Sequence, residues 1–429
     1  MSFMQMAALV SALALSFPAA AAPKSAARPA AVKPAAGPVV LELSHQLDEI
    51  SAERLEPFIE NFNQRNKGVR VKIVRRAEGE APKQLNLATS EEHARFLASK
   101  ASFKPLSQVM REAKMAFDPA RLSRELRSSA IYVRGQLLAL PVAFSTPVLY
   151  VNKQAFKKAG LDPESPPKTW DETQDAAGRL VAAGSACPYT TSWPVWVLID
   201  NISVWNNAPV ADARGQPAFN GLLQIKHVAM MATWHKSRYF VYFGRRNEAD
   251  QRFANGECGM LTSNSSLYAT LPEDLKQHVG VSPLPYHDDV PGAPRNTLAE
   301  GASLWVKAGL KPAETRAAAQ FVRYVLGPEV QIELTLAEGF LPMTGVARAA
   351  AGSRLKKADL DGLQVACEEL KCTGKGAVAP PLRISQIESL RRIVEEELES
   401  VWAGRKPAKE ALDVAVQRGK AALRTKKRS

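Results

Sequence analysis

The stretch "AFSTPVLYVNKQAFKKAG", residues 143–160, carries the reading of the fold. "VLYVN" is apolar and rich in β-formers. "KQAFKKAG" ends on Lys157, Lys158 and Gly160, the cation-then-glycine close of a helix. A strand running directly into a helix is the unit of an α/β sheet. Pro147 cannot donate to a ladder, so it is expected at the strand start, with Ser145 and Thr146 in irregular backbone and their hydroxyls open to a ligand.

The same grammar extends on both sides. "VVLEL" (39–43) and "VRVKIV" (69–74) read as strands, and between them Leu55, Phe58, Ile59 and Phe62 recur at helical spacing. "TWDE" (169–172) has the form of a capping box, Thr169 bonding forward and Glu172 back. "GASLWVKAG" (301–309) reads as a strand, followed by an amphipathic helix closed by Gly327-Pro328. From Ile387, residues Leu390, Ile393, Val394, Leu398, Val401 and Trp402 share one helical face, so the C-terminus is helical and packs back. There is no internal repeat. Two α/β lobes with a helical ending are expected.

At 429 residues the chain can bury a substantial core. Residues 1–22 hold an uncharged apolar run from Met6 to Phe17 and an Ala-rich segment suited to cleavage near Ala19–Ala21, the pattern of a signal peptide. The lack of Lys or Arg ahead of that run leaves an uncleaved anchor open as the alternative. Residues 23–38 read as an Ala/Pro-rich tether. Net charge is +13, of which residues 1–38 hold +3 and residues 420–429 hold +5, leaving +5 for the body. That mild excess, with no zinc-finger or RNP signature, argues against nucleic acid. Cys187, Cys258, Cys367 and Cys372 permit disulfides in an exported chain. A small loop closed by Cys367 and Cys372 would leave Cys187 with Cys258; neither pairing is decided by sequence.

Local catalytic motifs are absent: no GxGxxG, P-loop, HExxH or GxSxG, and six histidines scattered without ligand spacing. No metal, cofactor or catalytic residue is expected. The run Glu395, Glu396, Glu397 and Glu399 reads as a solvated helix face. In "SWPVWVLIDNISVWNN" (192–207), Trp193, Trp196 and Trp205 offer indole faces to polyol C–H groups or to quaternary ammonium, or else core packing.

Several stretches taken together, "STPVLYVNKQAFKKAGLDPESPPKTWDE", "SWPVWVLIDNISVWNN", "NGECGM", "EGASLWV", "GFLPMT" and "IVEEELESVWAGRKPAKEALDVAVQRG", resemble the periplasmic sn-glycerol-3-phosphate-binding proteins of ABC importers, within the extracellular solute-binding proteins that include the maltose-binding type. The resemblance covers most of residues 141–420. It implies an α/β, two-lobed periplasmic-binding-protein fold (type II) with hinge strands and a helical C-terminus. The lobes implied are 39–146 with 296–345, and 147–295 with 346–429. The solute is then a small anion or polyol such as glycerol 3-phosphate or a glycerophosphodiester, the partners are the membrane subunits of an ABC permease, and the protein is a periplasmic monomer.

Carried over residue by residue, the resemblance implies ligand contacts at Ser145, Trp193 with Trp196 beside it, Asn264 or Ser263, Gly301 and Arg391. A guanidinium fork reads phosphate oxygens bidentately, and Ser or Asn at a helix start adds donors. The first lobe departs from the family pattern: "AEGEAPKQLNLATSEEHAR" (77–95) is too short for a crossover helix, a ligand tyrosine has no counterpart, and a ligand glutamate falls on Thr89 or Ser90, with Glu91 reachable only by a shift. A second tyrosine is Phe340 here, which keeps the ring as an apolar floor and loses the hydroxyl. The rival reading is a binding fold with altered or lost solute recognition, acting through protein contacts as a sensor or regulatory partner.

Overall fold

The computed structural model describes residues 37–425 apart from 48, 78, 99–102, 124–125, 127–131, 134–135, 356 and 371–386. The expected signal peptide and nearly all of the tether lie outside the described residues. Ten strands build two five-stranded sheets among these residues. They are β1 (Val39–His45), β2 (Val69–Arg75), β3 (Leu85–Ala88), β4 (Ala139–Ser145), β5 (Pro147–Asn152), β6 (Cys187–Thr191), β7 (Phe240–Val241), β8 (Cys258–Asn264), β9 (Val279–Pro283) and β10 (Glu300–Val306). The helices that matter for the site are α1 (Glu49–Arg65), α2 (Ser90–Ala98), α3 (Trp170–Ala182), α4 (Pro312–Val325), α5 (Lys357–Glu369), α6 (Ile387–Trp402) and α7 (Ala408–Thr425).

The first sheet runs β2-β1-β3-β10-β4, with β1 parallel to β2 and β3, and β10 antiparallel to β3 and β4. Its core takes Leu55, Ile59 and Phe62 from α1 and the alanine face of α4. The second sheet runs β9-β5-β8-β6-β7 and buries Trp170, Trp234 and the apolar face of α6. Each lobe therefore has its own core.

Local signals set the element ends. Thr169 and Glu172 form the capping box of α3. Asn152 caps the helix after β5 by accepting from the backbone N–H of Gln154 and Ala155. Gly160 closes that helix at φ +67°, where a side chain would be strained. A disulfide joins Cys187 to Cys258 across the parallel neighbours β6 and β8. The other expected pair is not assigned, because Cys372 lies outside the described residues.

The first lobe is shortened at the expected place. No helix occurs among the described residues between β2 and β3. Nine positions suffice because β3 begins opposite Leu43, near the end of β1 and only two registers back from His45, where β2 also ends. Arg76 anchors this tight return: it is buried, donates to Ser44 Oγ at 2.9 Å and Asn86 Oδ1 at 3.2 Å, and pairs with the Glu92 carboxylate.

The Ser-Thr-Pro step is the hinge, and its geometry differs from the expectation. Ser145 is the last residue of β4, paired with Glu300, so only Thr146 separates the first sheet from the second. The Thr146 hydroxyl is not open to a ligand: it is fully buried, 2.5 Å from Thr297 Oγ1 and 3.1 Å from Glu369 Oε2. Glu369, also fully buried, accepts from Leu284 N at 2.5 Å through its other oxygen, and its carbonyl accepts from Thr297 N at 3.0 Å. Residues 284–299 form the second passage between sheets, so the end of α5 ties both crossings together. Burial holds the Glu369 carboxyl well above its ordinary range against the pull of those donors.

Candidate functional site

A cleft of about 660 Å³ lies between the two sheets. That is room for a small solute. Ser145, Trp193, Trp196, Asn264, Gly301, Phe340 and Arg391 all line it. Residues spread over nearly 250 positions are brought to one place. Ser263 does not line it; it is fully buried in β8 beside Asp250. Trp205 is also core, donating its indole N–H to Leu284 O at 2.7 Å.

Trp193 stands on strained backbone. Its φ is +52°, a left-handed value that costs a non-glycine residue about 1–3 kcal/mol. The strain is held by its N–H on Arg246 O at 2.7 Å and by the Arg246 guanidinium 5.8 Å from the ring centroid. The chain then enters a π-helical turn, Trp196–Asn201, in which Trp196 lines the cleft and Asp200 is buried against Arg391.

Gly301 has a steric reason to be glycine. A Cβ there would fall 1.7 Å from Ala143 O, so β10 approaches β4 as closely as backbones can. Phe340 follows Gly339, whose φ of +67° turns the chain into the cleft. Asn264 is turned on itself, its Oδ1 accepting from Ser266 Oγ and Leu267 N at 2.6 and 3.0 Å.

Arg391 projects from α6 and is buried. Its partners are not the neighbouring acids Glu388 or Glu395. It donates Nε and Nη2 to Asp200 Oδ2 at 2.9 and 2.7 Å, and Nη1 and Nη2 to Glu300 Oε2 and Oε1 at 2.8 and 2.5 Å. Burial raises Asp200 to about 6, with Arg391 pulling down and Glu300 pushing up. Arg391 is itself held above its ordinary range by the two carboxylates, against the effect of burial.

Reasoning from sequence missed most of the charge in the cleft. Four arginines (95, 245, 246, 391) and five glutamates (92, 300, 338, 388, 395) line it. Arg95 meets Glu388 at 3.7 Å, and Arg246 meets Glu395 at 3.6 Å. The acidic run on α6 is accordingly not one solvated face: Glu395 and Glu397 are buried, Glu397 held by Lys406 at 2.6 Å and Arg418 at 2.8 Å. A lone Asp within "VWVLID" was the available signal, since an acid in an apolar run needs a cation opposite it. Among the described residues no group of three or more His, Cys, Asp or Glu is placed to hold a metal, and no helix is long and apolar enough to cross a membrane.

Two α/β lobes on a threaded hinge, closing on a charged and aromatic cleft, define a two-lobed binding protein. The sequence model for bacterial extracellular solute-binding proteins matches residues 48–332, and the chain belongs to this family. It is 38% identical over 341 residues to the sn-glycerol-3-phosphate-binding periplasmic protein UgpB of Pectobacterium atrosepticum, covering 77% of this chain and 76% of that one. UgpB of Yersinia pseudotuberculosis is also 38% identical, over 77% of each chain. These relatives are solute-binding proteins. Among solved structures, UgpB of Mycobacterium tuberculosis in complex with glycerophosphocholine superposes with a TM-score of 0.74 at 20% identity, over 91% of this chain and 99% of that one. Maltose-bound MalE3 of T. maritima gives 0.73 at 16%, over 90% and 100%. The fold is thus that of the maltose-binding type.

Proposed function

We propose that this chain is the periplasmic solute-binding component of an ABC importer, capturing glycerol 3-phosphate, a glycerophosphodiester or a related small phosphorylated polyol by lobe closure. The observation that carries the reading is Arg391, a buried guanidinium presented to the interlobe cleft beside Ser145 and the Trp193 wall, in a chain related to glycerol-3-phosphate-binding proteins. Arginine offers phosphate a planar fork, and an indole face suits a polyol or a choline group. Asn264, Gly301, Phe340 and Trp196 complete the proposed contact set.

The charge balance bears on the choice of solute. Every arginine lining the cleft has a carboxylate within 4 Å. A monoanionic phosphodiester meets less repulsion there than a dianionic monoester, so glycerophosphodiesters are favoured. Capture needs no covalent step: the solute stabilises the closed form through contacts that exist only there. The closed monomer is then what the permease subunits receive.

Isothermal titration calorimetry with glycerol 3-phosphate and glycerophosphocholine tests the reading. The expected result is micromolar or tighter binding of at least one, abolished by Arg391→Ala. Absence of heat from both sinks the named solutes and leaves the rival, a binding fold working through protein contacts.

A further inference from the structure

We propose that Glu300 is an internal ligand of Arg391: it latches the two lobes over an empty cleft, and an anionic solute must displace it to reach the guanidinium. The inference rests on the reading of Arg391 as the anion site.

A guanidinium has five N–H donors. Two are spent on Asp200 and two on Glu300, which leaves one on Nη1. Bidentate capture of a phosphate needs a parallel pair, so one carboxylate has to leave. The two are not equivalent. Asp200 belongs to the same lobe as Arg391, sits in the π-helical turn, has a side chain 6% exposed and does not line the cleft. Glu300 comes from the opposite lobe, at the first position of β10, lines the cleft and has a side chain 21% exposed. Glu300 is the one an incoming anion replaces.

The same bond spans the hinge. Arg391 stands on α6, packed in the second core through its neighbours Leu390 and Val394, while Glu300 pairs with Ser145 at the rim of the first sheet. Arg95 of α2 and Glu388 of α6 add a looser contact across the same gap. A tethered carboxylate competes at high local concentration, so apparent solute affinity is lowered by the fraction of molecules in which it occupies Arg391. Glu300 also stays beside the cleft after displacement, as a like charge near any phosphate. On both counts it sets which anions bind and how tightly.

The test compares wild type with Glu300→Gln, which keeps the shape and removes the charge. Each is titrated with glycerol 3-phosphate and glycerophosphocholine, and the solute-free radius of gyration is measured by small-angle X-ray scattering. The proposal expects about tenfold tighter binding of the better solute and a larger solute-free radius. Equal or weaker binding by the variant, when wild type does bind, overturns displacement and makes Glu300 an ordinary solute contact. An unchanged radius overturns the latch. If neither protein gives heat with either phosphate, the solute reading has failed, displacement by these anions falls with it, and the radius alone decides the latch.

Discussion

Asp200, buried against Arg391, and Trp193, on the cleft wall, store energy that folding alone would not select. Asp200 titrates near 6 because burial outweighs the attraction of Arg391. As pH falls through that value it gains a proton, and the trio with Arg391 and Glu300 goes from net −1 to neutral. A phosphodiester keeps one charge throughout this range. Glycerophosphocholine is therefore expected to bind several-fold more tightly at pH 5 than at pH 8, with Asp200→Asn flattening the profile; calorimetry across pH checks it. Trp193 pays for its left-handed backbone, whereas glycine adopts φ near +52° without cost. Trp193→Gly is expected to lower solute affinity at least tenfold while leaving stability within about 1 kcal/mol of wild type by urea unfolding, relief of strain offsetting the lost burial.

At the scale of elements, the helix carrying His227 and the loop carrying His287 make a buried pair, Nδ1 to Nε2 at 3.1 Å, against Trp170. Burial pushes His227 well below its ordinary value and His287 down to about 4. Between about 6.5 and 4 the unfolded chain then binds more protons than the native one, so the pair's contribution to stability is present above pH 6.5 and is lost as pH falls toward 4. Asp200 and Glu369, both held high by burial, take up protons in the native state over the same interval and act in the opposite sense. The expected outcome is therefore a difference: the urea midpoint of wild type minus that of His227→Gln with His287→Gln should fall as pH goes from about 6.5 to 4. Elements governed by neighbours in sequence were readable beforehand: the Thr169 capping box, the α1 stripe, the close at Gly160. What sequence did not reveal depends on partners far apart. Thr146 meets Glu369 and Arg391 meets Asp200 across 223 and 191 positions, and no local period records such a contact. The π-helical turn at Trp196–Asn201 escaped for a related reason: its apolar composition suits any buried helix.

For the molecule as a whole, the hinge sets what closure can be. The lobes are joined at Thr146 by one residue, and that residue, the 284–299 passage and the end of α5 are bound together through Glu369. This hub can rotate only if its hydrogen bonds survive the motion, since a buried donor left unpaired costs about 1–3 kcal/mol. Motion should therefore be a rigid rotation of two intact cores about the hub. Solute adds contacts only in the closed arrangement, so saturating glycerophosphocholine is expected to contract the radius of gyration of Glu300→Gln, which lacks the latch, more than that of wild type, and to leave that of Arg391→Ala unchanged. Glu369→Ala separates hinge from site: it leaves Leu284 N–H and the Thr146 hydroxyl without their acceptor while touching nothing in the cleft. Its expected signature is a loss of about 2–4 kcal/mol in urea unfolding and a broader solute-free scattering envelope. Glu369→Gln, which keeps an acceptor for Leu284, should lose much less. Equal losses for the two variants would mean that neither the volume nor the Leu284 acceptor that Gln keeps contributes, and the hub would then rest on the carboxyl oxygen that meets Thr146.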